Sequence, residues 1–370
     1  MERITIGNRL NKKTKIVIGK DLPTKINFII GTNSKTKISV ENEIKKIDLA
    51  VKMGVHTITD LSIVRLEKPL WKYVKQKYPH IAVGINPPYL PYVENKGMIS
   101  PQKLFLEIKN FVLSGGDFMT INFVPKTLSQ LKKYLHNRKV PITSRQGGIL
   151  ASYMIKNGTG NPYWVILDDL MNLLKKYHVT VNIGSTFRPA GIAEAYDKAH
   201  KWEINRQMEI YQLFEKSGIQ SIVEIMSHQP LHQIGSGIIG LRKKYGQYVP
   251  FQLLGPIVAD IGSGRYDHIT AAIGAAEAAR YNVGKITVIP PKEHVGMPTL
   301  QDVAEGINAA KISVHAGDLT RLPKLINEDW KILLLRSKYR SCNPLAKTKG
   351  CNKCGKYCPL ILINPNKNES

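Results

Sequence analysis

The sequence predicts an α/β protein: a (β/α)8 barrel with a small N-terminal region and a C-terminal helical tail that carries a cysteine cluster. Short β-rich segments alternate with helical segments about eight times, which is typical of a parallel sheet covered by helices. Polar residues follow most of these segments, where the active sites of barrels form. All four cysteines lie at or beyond Cys342. An open, doubly wound sheet is the alternative to a closed barrel.

Three segments divide the 370 residues. Residues 1–50 form an N-terminal region with a lead-in helix, residues 51–320 the barrel, and residues 321–370 the tail. The lead-in helix has Ser39 as its predicted N-cap, and Gly54 ends it. Residues before it alternate short apolar runs with Lys and Asn, so we expect no barrel strand there.

The barrel strands are predicted from short runs that are rich in β-branched and aromatic residues. They are His56–Ser62, Ile81–Asn86, Phe118–Val124, Val140–Ser144, Val179–Ser185, Ser221–Ser227, Phe251–Ile257 and Lys285–Pro291. Between them, segments such as Tyr163–Tyr177 and Ile192–Ser217 show helical periodicity. The count matches a closed eight-stranded barrel.

The charge balance is the one unusual feature of the composition. There are 53 basic and 28 acidic residues, which gives a net charge of +25. This balance favours anionic ligands, but the basic residues are spread along the chain, so we expect no nucleic-acid partner. No apolar run approaches the roughly 20 residues of a membrane span, and the first residues do not resemble a signal peptide. We therefore expect a cytoplasmic protein without a membrane partner.

Candidate anion-binding residues follow two of the predicted strands. Ser144 and Arg145 end one segment, and Arg188 follows the next. Hydroxyl and guanidinium groups at a barrel mouth can donate hydrogen bonds to a phosphate. Salt-bridged structural arginines are the alternative. We predict a small phosphorylated substrate.

Histidines supply the candidate metal ligands in the barrel. His228 and His294 each follow a strand, and neutral imidazole is a common ligand of Zn²⁺ and Fe²⁺. If the strand continues from Glu224 to His228, both side chains lie in one pocket. Spacing alone does not choose between these histidines and the other candidates, which are His56, His268 and His315.

The cysteine tail has two interpretations. Cys351, Cys354 and Cys358 are spaced C-x2-C-x3-C, and Cys342 lies upstream. Together the four thiolates can form a structural zinc site. Alternatively, the three closely spaced cysteines bind three irons of a [4Fe–4S] cluster and leave the fourth iron open.

Segments from about residue 15 to residue 360 match a known family. Among them are His56-Thr-Ile-Thr-Asp-Leu-Ser62, Leu254-Gly-Pro256, Tyr266-Asp-His-Ile-Thr270, Pro291-Lys-Glu-His294 and Cys351-Asn-Lys-Cys354-Gly. With these segments the chain resembles the ThiC family of phosphomethylpyrimidine synthases, which are radical S-adenosylmethionine enzymes. The resemblance implies a central (β/α)8 barrel and a cysteine tail that holds a [4Fe–4S] cluster.

The resemblance also implies an activity. Members convert 5-aminoimidazole ribotide to 4-amino-5-hydroxymethyl-2-methylpyrimidine phosphate in thiamine biosynthesis. A 5′-deoxyadenosyl radical from S-adenosyl-L-methionine starts this lyase-type reaction. The implied cluster ligands are Cys351, Cys354 and Cys358, and the implied ligands of Zn²⁺ or Fe²⁺ are His228 and His294. The implied substrate contacts are Tyr89, Ser144, Arg145, Arg188 and Glu224, with Glu224 as the catalytic residue. A homodimer that exchanges its tails is implied as well.

Five positions depart from the family's pattern. Ile29 replaces an Asn of the family's pattern, and Asn122 replaces a His. Gln146 replaces a Gly, Ser185 replaces an Asp, and Gln252 replaces a Tyr. Three hypotheses follow. The chain keeps the family's reaction, or it applies the same radical chemistry to another phosphorylated ribotide or imidazole, or it is a non-catalytic basic protein with a zinc tail that binds nucleic acid.

Overall fold

The computed structural model describes residues 2–136, 138–246, 248–343, 345 and 353–363. Its strands are β1 (Arg3–Asn8), β2 (Asn11–Gly19), β3 (Lys25–Ile30), β4 (Thr57–Asp60), β5 (Ala82–Ile85), β6 (Phe118–Ile121), β7 (Thr180–Ile183), β8 (Ser221–His228), β9 (Phe251–Ile257) and β10 (Lys285–Thr287).

The α-helices lie between the strands and after them. They are α1 (Lys37–Lys52), α2 (Leu70–Lys77), α3 (Tyr89–Glu94), α4 (Pro101–Leu113), α5 (Leu128–Leu135), α6 (Arg145–Asn157), α7 (Leu167–Tyr177), α8 (Lys198–Lys216), α9 (Leu231–Tyr245), α10 (Asp267–Arg280), α11 (Leu300–Asp318), α12 (Ile326–Tyr339) and α13 (Pro359–Leu362).

Eight strands form a closed parallel barrel in the order β10-β3-β4-β5-β6-β7-β8-β9. Helices cover its outer surface because the outward-facing strand residues are apolar, as are Ile58, Val83 and Val181, which are fully buried. This arrangement confirms the predicted (β/α)8 fold. An antiparallel hairpin of β1 and β2 precedes the barrel and pairs with none of its strands in the described residues.

The hairpin closes the floor of the barrel, at the amino-terminal ends of the strands. Ile4, Ile6 and Ile18 of the hairpin form one apolar cluster with Ala82, Phe118 and Ile222, which face the barrel interior. Ile6 and Ile18 are at most 1% exposed. Burying such side chains contributes roughly 1.5–3 kcal/mol each to stability.

Two strand predictions were wrong. One predicted strand does not form and one barrel strand was not predicted, so the predicted number of eight barrel strands is still correct. Val140–Ser144 is irregular and leads into α6; Pro141 has no N–H to donate to a neighbouring strand. The barrel strand that replaces it is β3, which pairs with β4 and β10 in the region predicted as a lead-in. The N-cap of α1 is Thr36, not Ser39: its side chain accepts a hydrogen bond from the Ser39 N–H.

The interior of this barrel is polar. Residues that are paired across parallel strands face the same side of the sheet. The residues that face the barrel interior are connected to one another by hydrogen bonds. Thr57 and Thr59, for example, donate to Asn27 Oδ1 at 2.7 and 2.9 Å. The polar inward positions are Asn27, Thr57, Thr59, Thr120, Asn122, Thr180, Asn182, Glu224, Gln252, Lys285 and Thr287. Barrels usually fill this space with Val, Ile and Leu, so the polar series indicates a site.

The chain divides into two compact units, residues 1–318 and residues 319–370. The first contains the hairpin and the barrel. The second contains α12 and α13, and α12 has no buried residue. In the described part of the chain, no helix is both long and apolar enough to cross a membrane.

Candidate active site

A cavity of about 490 Å³ lies at the carboxyl ends of the barrel strands. It brings together every barrel residue that the sequence assigned to the site. These are Tyr89, Ser144, Arg145, Arg188, Glu224, His228 and His294. The residues come from five different segments of the chain, so only the closed barrel makes them neighbours.

The N-terminus of α6 forms one end of the cavity. Ser144 is the N-cap, and its Oγ accepts a hydrogen bond from the Gly147 N–H at 3.2 Å. Arg145 is the first helical residue, and its guanidinium carbon lies 5.8 Å from the centre of the Tyr89 ring. Free N–H groups and the helix dipole favour an anion at this position. The arrangement can bind a phosphate.

Arg188 belongs to the loop after β7, and buried Glu203 of α8 holds that loop. Glu203 accepts hydrogen bonds from the backbone N–H groups of Thr186 and Phe187 at 2.6 and 2.7 Å, and from the Ser185 hydroxyl. Burial raises the pKa of Glu203 to about 7. Glu203 was not among the residues predicted from the sequence. The sequence feature that could have identified Glu203 is its place on the buried face of α8, where it is four residues from both Ala199 and Gln207.

Glu224 lies on the inner wall of the cavity and is 5% exposed. The Asn182 side-chain amide donates to it at 3.2 Å, and an Arg188 guanidinium nitrogen lies 3.7 Å away. Burial raises the pKa of Glu224, and the positive charge of Arg188 opposes that shift. A carboxylate fixed in this way can accept a hydrogen bond or a proton from a ligand.

His228 and His294 are both oriented by carboxylates. The Nδ1 atom of His228 lies 2.7 Å from Asp260 Oδ1, and the Nδ1 atom of His294 lies 3.0 Å from Asp267 Oδ2. Each ring therefore keeps Nε2 for another partner. Carboxylate–histidine pairs of this kind orient metal ligands, so the two histidines suit Zn²⁺ or Fe²⁺. Asp267 lies in the family-like segment Tyr266–Thr270, but its contact with His294 was not predicted from the sequence.

The structure separates these histidines from the other candidates. His56 lies at the opposite end of the barrel, where its Nδ1 accepts a hydrogen bond from the Ile26 N–H at 3.1 Å. Burial and two nearby lysines lower its pKa to about 4. Neither His268 nor His315 lines the cavity. His228 and His294 are distinguished from the other histidines by their positions at the carboxyl ends of barrel strands. Sequence spacing alone could not give those positions.

The cysteine prediction falls partly outside the described residues, since Cys351 is not among them. Cys342 and Cys354 are exposed and Cys358 is buried, and all three are free thiols. No group of three metal-ligating side chains occurs among the residues that the structure describes. The cluster ligands therefore stay a prediction.

Four of the five departures from the family's pattern line the cavity: Ile29, Asn122, Gln146 and Gln252. Ser185 lies behind the cavity and donates to Glu203. An Asp at this position would place a second carboxylate against Glu203, so the serine removes a like-charge contact.

A sequence model described as the Radical SAM ThiC family matches residues 2–343, which end before Cys351. Phosphomethylpyrimidine synthase from Carboxydothermus hydrogenoformans is 33% identical over 352 residues, covering 88% of this chain and 81% of that protein. The same-named proteins of Thermoanaerobacter sp. strain X514 and Methanocaldococcus jannaschii are 34% and 32% identical, covering 80% and 82% of their lengths and 88% of this chain. Among solved structures, a Coxiella burnetii dihydropteroate synthase aligns with a TM-score of 0.48 at 10% identity, covering 85% of this chain and 99% of that one. The match over residues 2–343 and these identities show that the chain belongs to the radical S-adenosylmethionine ThiC family.

Proposed function

We propose that this protein converts 5-aminoimidazole ribotide to 4-amino-5-hydroxymethyl-2-methylpyrimidine phosphate in thiamine biosynthesis. The observation that carries the proposal is the cavity at the barrel mouth, where an anion-binding helix end and two carboxylate-oriented histidines face one space. The relatives that are about a third identical carry the name phosphomethylpyrimidine synthase.

The substrate's phosphate lies at the N-terminus of α6 in this proposal. Ser144, Arg145 and Arg188 donate to its oxygens, and charge-assisted hydrogen bonds of this type are roughly twice as strong as neutral ones. Tyr89 and Glu224 contact the ribose or the ring. Burial raises the pKa of Glu224, which suits a group that exchanges a proton with the substrate.

Three cofactors complete the proposed site. When bound, a [4Fe–4S] cluster with S-adenosyl-L-methionine supplies a 5′-deoxyadenosyl radical, and Zn²⁺ or Fe²⁺ supplies a Lewis acid. Cys351, Cys354 and Cys358 would hold the cluster, and His228 and His294 the metal. A second cavity, of about 570 Å³, shares His294 with the first and is our proposed site for S-adenosyl-L-methionine.

The proposed assembly is a homodimer in which the tail of one chain serves the barrel of its partner. An exposed apolar stripe on α12 supports this proposal. Ile326, Trp330, Leu333 and Leu334 recur at helical spacing and are 45–64% exposed. An apolar stripe of this kind favours a protein partner.

A second candidate function is the same radical chemistry on another phosphorylated imidazole or ribotide. The observation in its favour is that Asn122 and Gln252 stand on the cavity wall in place of His and Tyr. An amide differs from both in shape and in its hydrogen-bonding groups, so the ring that fits best can differ.

The test uses the anaerobically purified and reconstituted full chain with 5-aminoimidazole ribotide and S-adenosyl-L-methionine. We expect a brown protein that forms the pyrimidine phosphate. Cys354→Ala should lose the iron–sulfur absorption and the product, whereas the matched variant Cys342→Ala should keep both. A colourless protein with tail-bound zinc would contradict both enzyme functions. The protein could instead cleave S-adenosyl-L-methionine, form none of this product and fail to rescue a pyrimidine auxotroph. That result would favour the second candidate function.

A further inference from the structure

Inside the barrel, between the cavity and the hairpin, several buried polar atoms have no hydrogen-bond partner in the described structure. They are Lys285 Nζ, Asn182 Oδ1, Gln252 Oε1 and Thr180 Oγ1. All four residues are at most 4% exposed. Buried polar atoms in native proteins nearly always bond to protein or to ordered water, so this group indicates a ligand.

Lys285 reaches across the interior from the first position of β10. Its Nζ lies 4.2 Å from the centre of the Phe118 ring, on β6. Strands β10 and β6 are four places apart in the eight-stranded order, so they face each other across the barrel. The aromatic face attracts the ammonium group but accepts no conventional hydrogen bond. Burial lowers the pKa of Lys285 to about 7, and Glu224 opposes this shift.

The two amides are oriented by Glu224. Asn182 Nδ2 and Gln252 Nε2 lie 3.2 and 3.5 Å from Glu224 Oε2. An ionised carboxylate only accepts hydrogen bonds, so each amide must turn its NH₂ group towards Glu224 and its oxygen away. Those oxygens lack a donor, and Lys285 lacks an acceptor. A water molecule with two to four hydrogen bonds satisfies both needs.

The charged and titratable groups that act on Glu224 come from three elements. Arg188 lies in the loop after β7, Tyr89 begins α3, and Lys285 begins β10. Among the remaining groups of the cavity are Arg145, Glu293 and the two histidines. Arg188 has its proposed role at the substrate phosphate, whereas Lys285 is enclosed beneath the cavity and does not line it.

We propose that ordered water inside the barrel links Lys285 Nζ to the amide oxygens of Asn182 and Gln252, and that Lys285 is thereby a positioning residue that keeps Glu224 ionised beneath the substrate. The inference deepens the proposed function, since it rests on Glu224 as a substrate contact. The arrangement uses four adjacent strands. Lys285 of β10 is in register with Gln252 of β9 and Gln252 with Glu224 of β8, and Asn182 lies on β7, which pairs with β8.

The test is an infrared pH titration of the full chain without substrate. The carbonyl stretch of a protonated carboxyl group is followed, and Glu224→Gln identifies the band of Glu224. In Lys285→Met the loss of a nearby positive charge favours the neutral acid, so the midpoint should rise by about one pH unit. Lys285→Gln keeps a hydrogen-bond donor without the charge and should give the same rise.

Lys25→Met is the matched control, because Lys25 begins the neighbouring strand β3 and its charge interacts with Asp318. It should leave the midpoint unchanged. An unchanged midpoint in both folded Lys285 variants, or an equal rise in Lys25→Met, would overturn the positioning role. A crystal structure that places no water between Lys285 and the two amides would overturn the link. The titration needs neither cluster nor radical, so its result is independent of whether the proposed reaction is correct.

Discussion

At the scale of single residues, the site depends on carboxylates that orient other groups of the protein. Asp260 and Asp267 orient the two histidines that we propose as metal ligands, and Glu203 holds the loop that carries Arg188. The site residues at the ends of strands could be predicted from the sequence, because a barrel brings the ends of its strands together. The sequence could not reveal the roles of Asp267 and Glu203, because these roles depend on contacts between distant helices and loops.

Replacing Asp267 should weaken metal binding. In Asp267→Asn the side chain keeps its size but loses its charge, so His294 is less basic and less firmly oriented. We expect the affinity for Zn²⁺ to fall by about 10- to 100-fold, measured by competition with a chelator. Asp168→Asn, an exposed change in the first turn of α7, is the control and should bind as the parent does. Equal affinity in the two variants would contradict the role.

His200 should make the fold sensitive to acid. It is fully buried, accepts from the Tyr196 N–H at 3.1 Å, and pairs through Nε2 with the Ile225 carbonyl at 2.8 Å. Burial lowers its pKa from 6.5 to about 4. The unfolded chain therefore binds more protons between these values, and stability is lost as the pH falls through them.

His200→Gln keeps one acceptor and one donor but does not titrate. From pH 7 to pH 4, its free energy of unfolding should fall by about 3 kcal/mol less than that of the parent. Urea denaturation at several pH values measures the difference. Parallel pH profiles for the two proteins would argue against this contribution.

At the scale of elements, α6 supplies the proposed anion site through its first turn. The segment before it was misread as a strand, since Val140, Ile142 and Thr143 have high β propensity. Its extended backbone is used instead to lead into the Ser144 cap. Strand β3 was not predicted, because its lysine and asparagine interrupt the apolar pattern that ends in the run Phe28–Ile30. In the barrel these polar residues are compatible with a strand, since Asn27 faces a polar interior.

Removing the cap of α6 should affect both stability and binding. Ser144→Ala loses the hydrogen bond from the Gly147 N–H, which costs about 1 kcal/mol of stability. It also loses a proposed donor to the phosphate, so the affinity for ribose 5-phosphate should fall about tenfold. The control Ser100→Ala removes the N-cap of α4, which lies outside the cavity. It should lose similar stability with unchanged affinity in calorimetry, and a loss of affinity there would refute the assignment.

At the scale of the whole molecule, the apolar stripe on α12 should decide the oligomeric state. Leu334→Glu places a charge in the stripe, so the proposed dimer should dissociate to monomers in sedimentation experiments. Lys331→Glu makes a larger change of charge on another face of the same helix and should stay dimeric. A parent protein that sediments as a monomer would contradict the proposed tail exchange.

The hairpin that closes the barrel floor has a consequence for the order of events in turnover. With Ile6 and Ile18 packed beneath Phe118, the described structure leaves the mouth as the route for both substrate and product. In the proposed reaction, the next substrate therefore cannot enter until the pyrimidine phosphate has left. We therefore expect the product to inhibit competitively against the imidazole ribotide in steady-state kinetics. Purely noncompetitive inhibition would require a second way out.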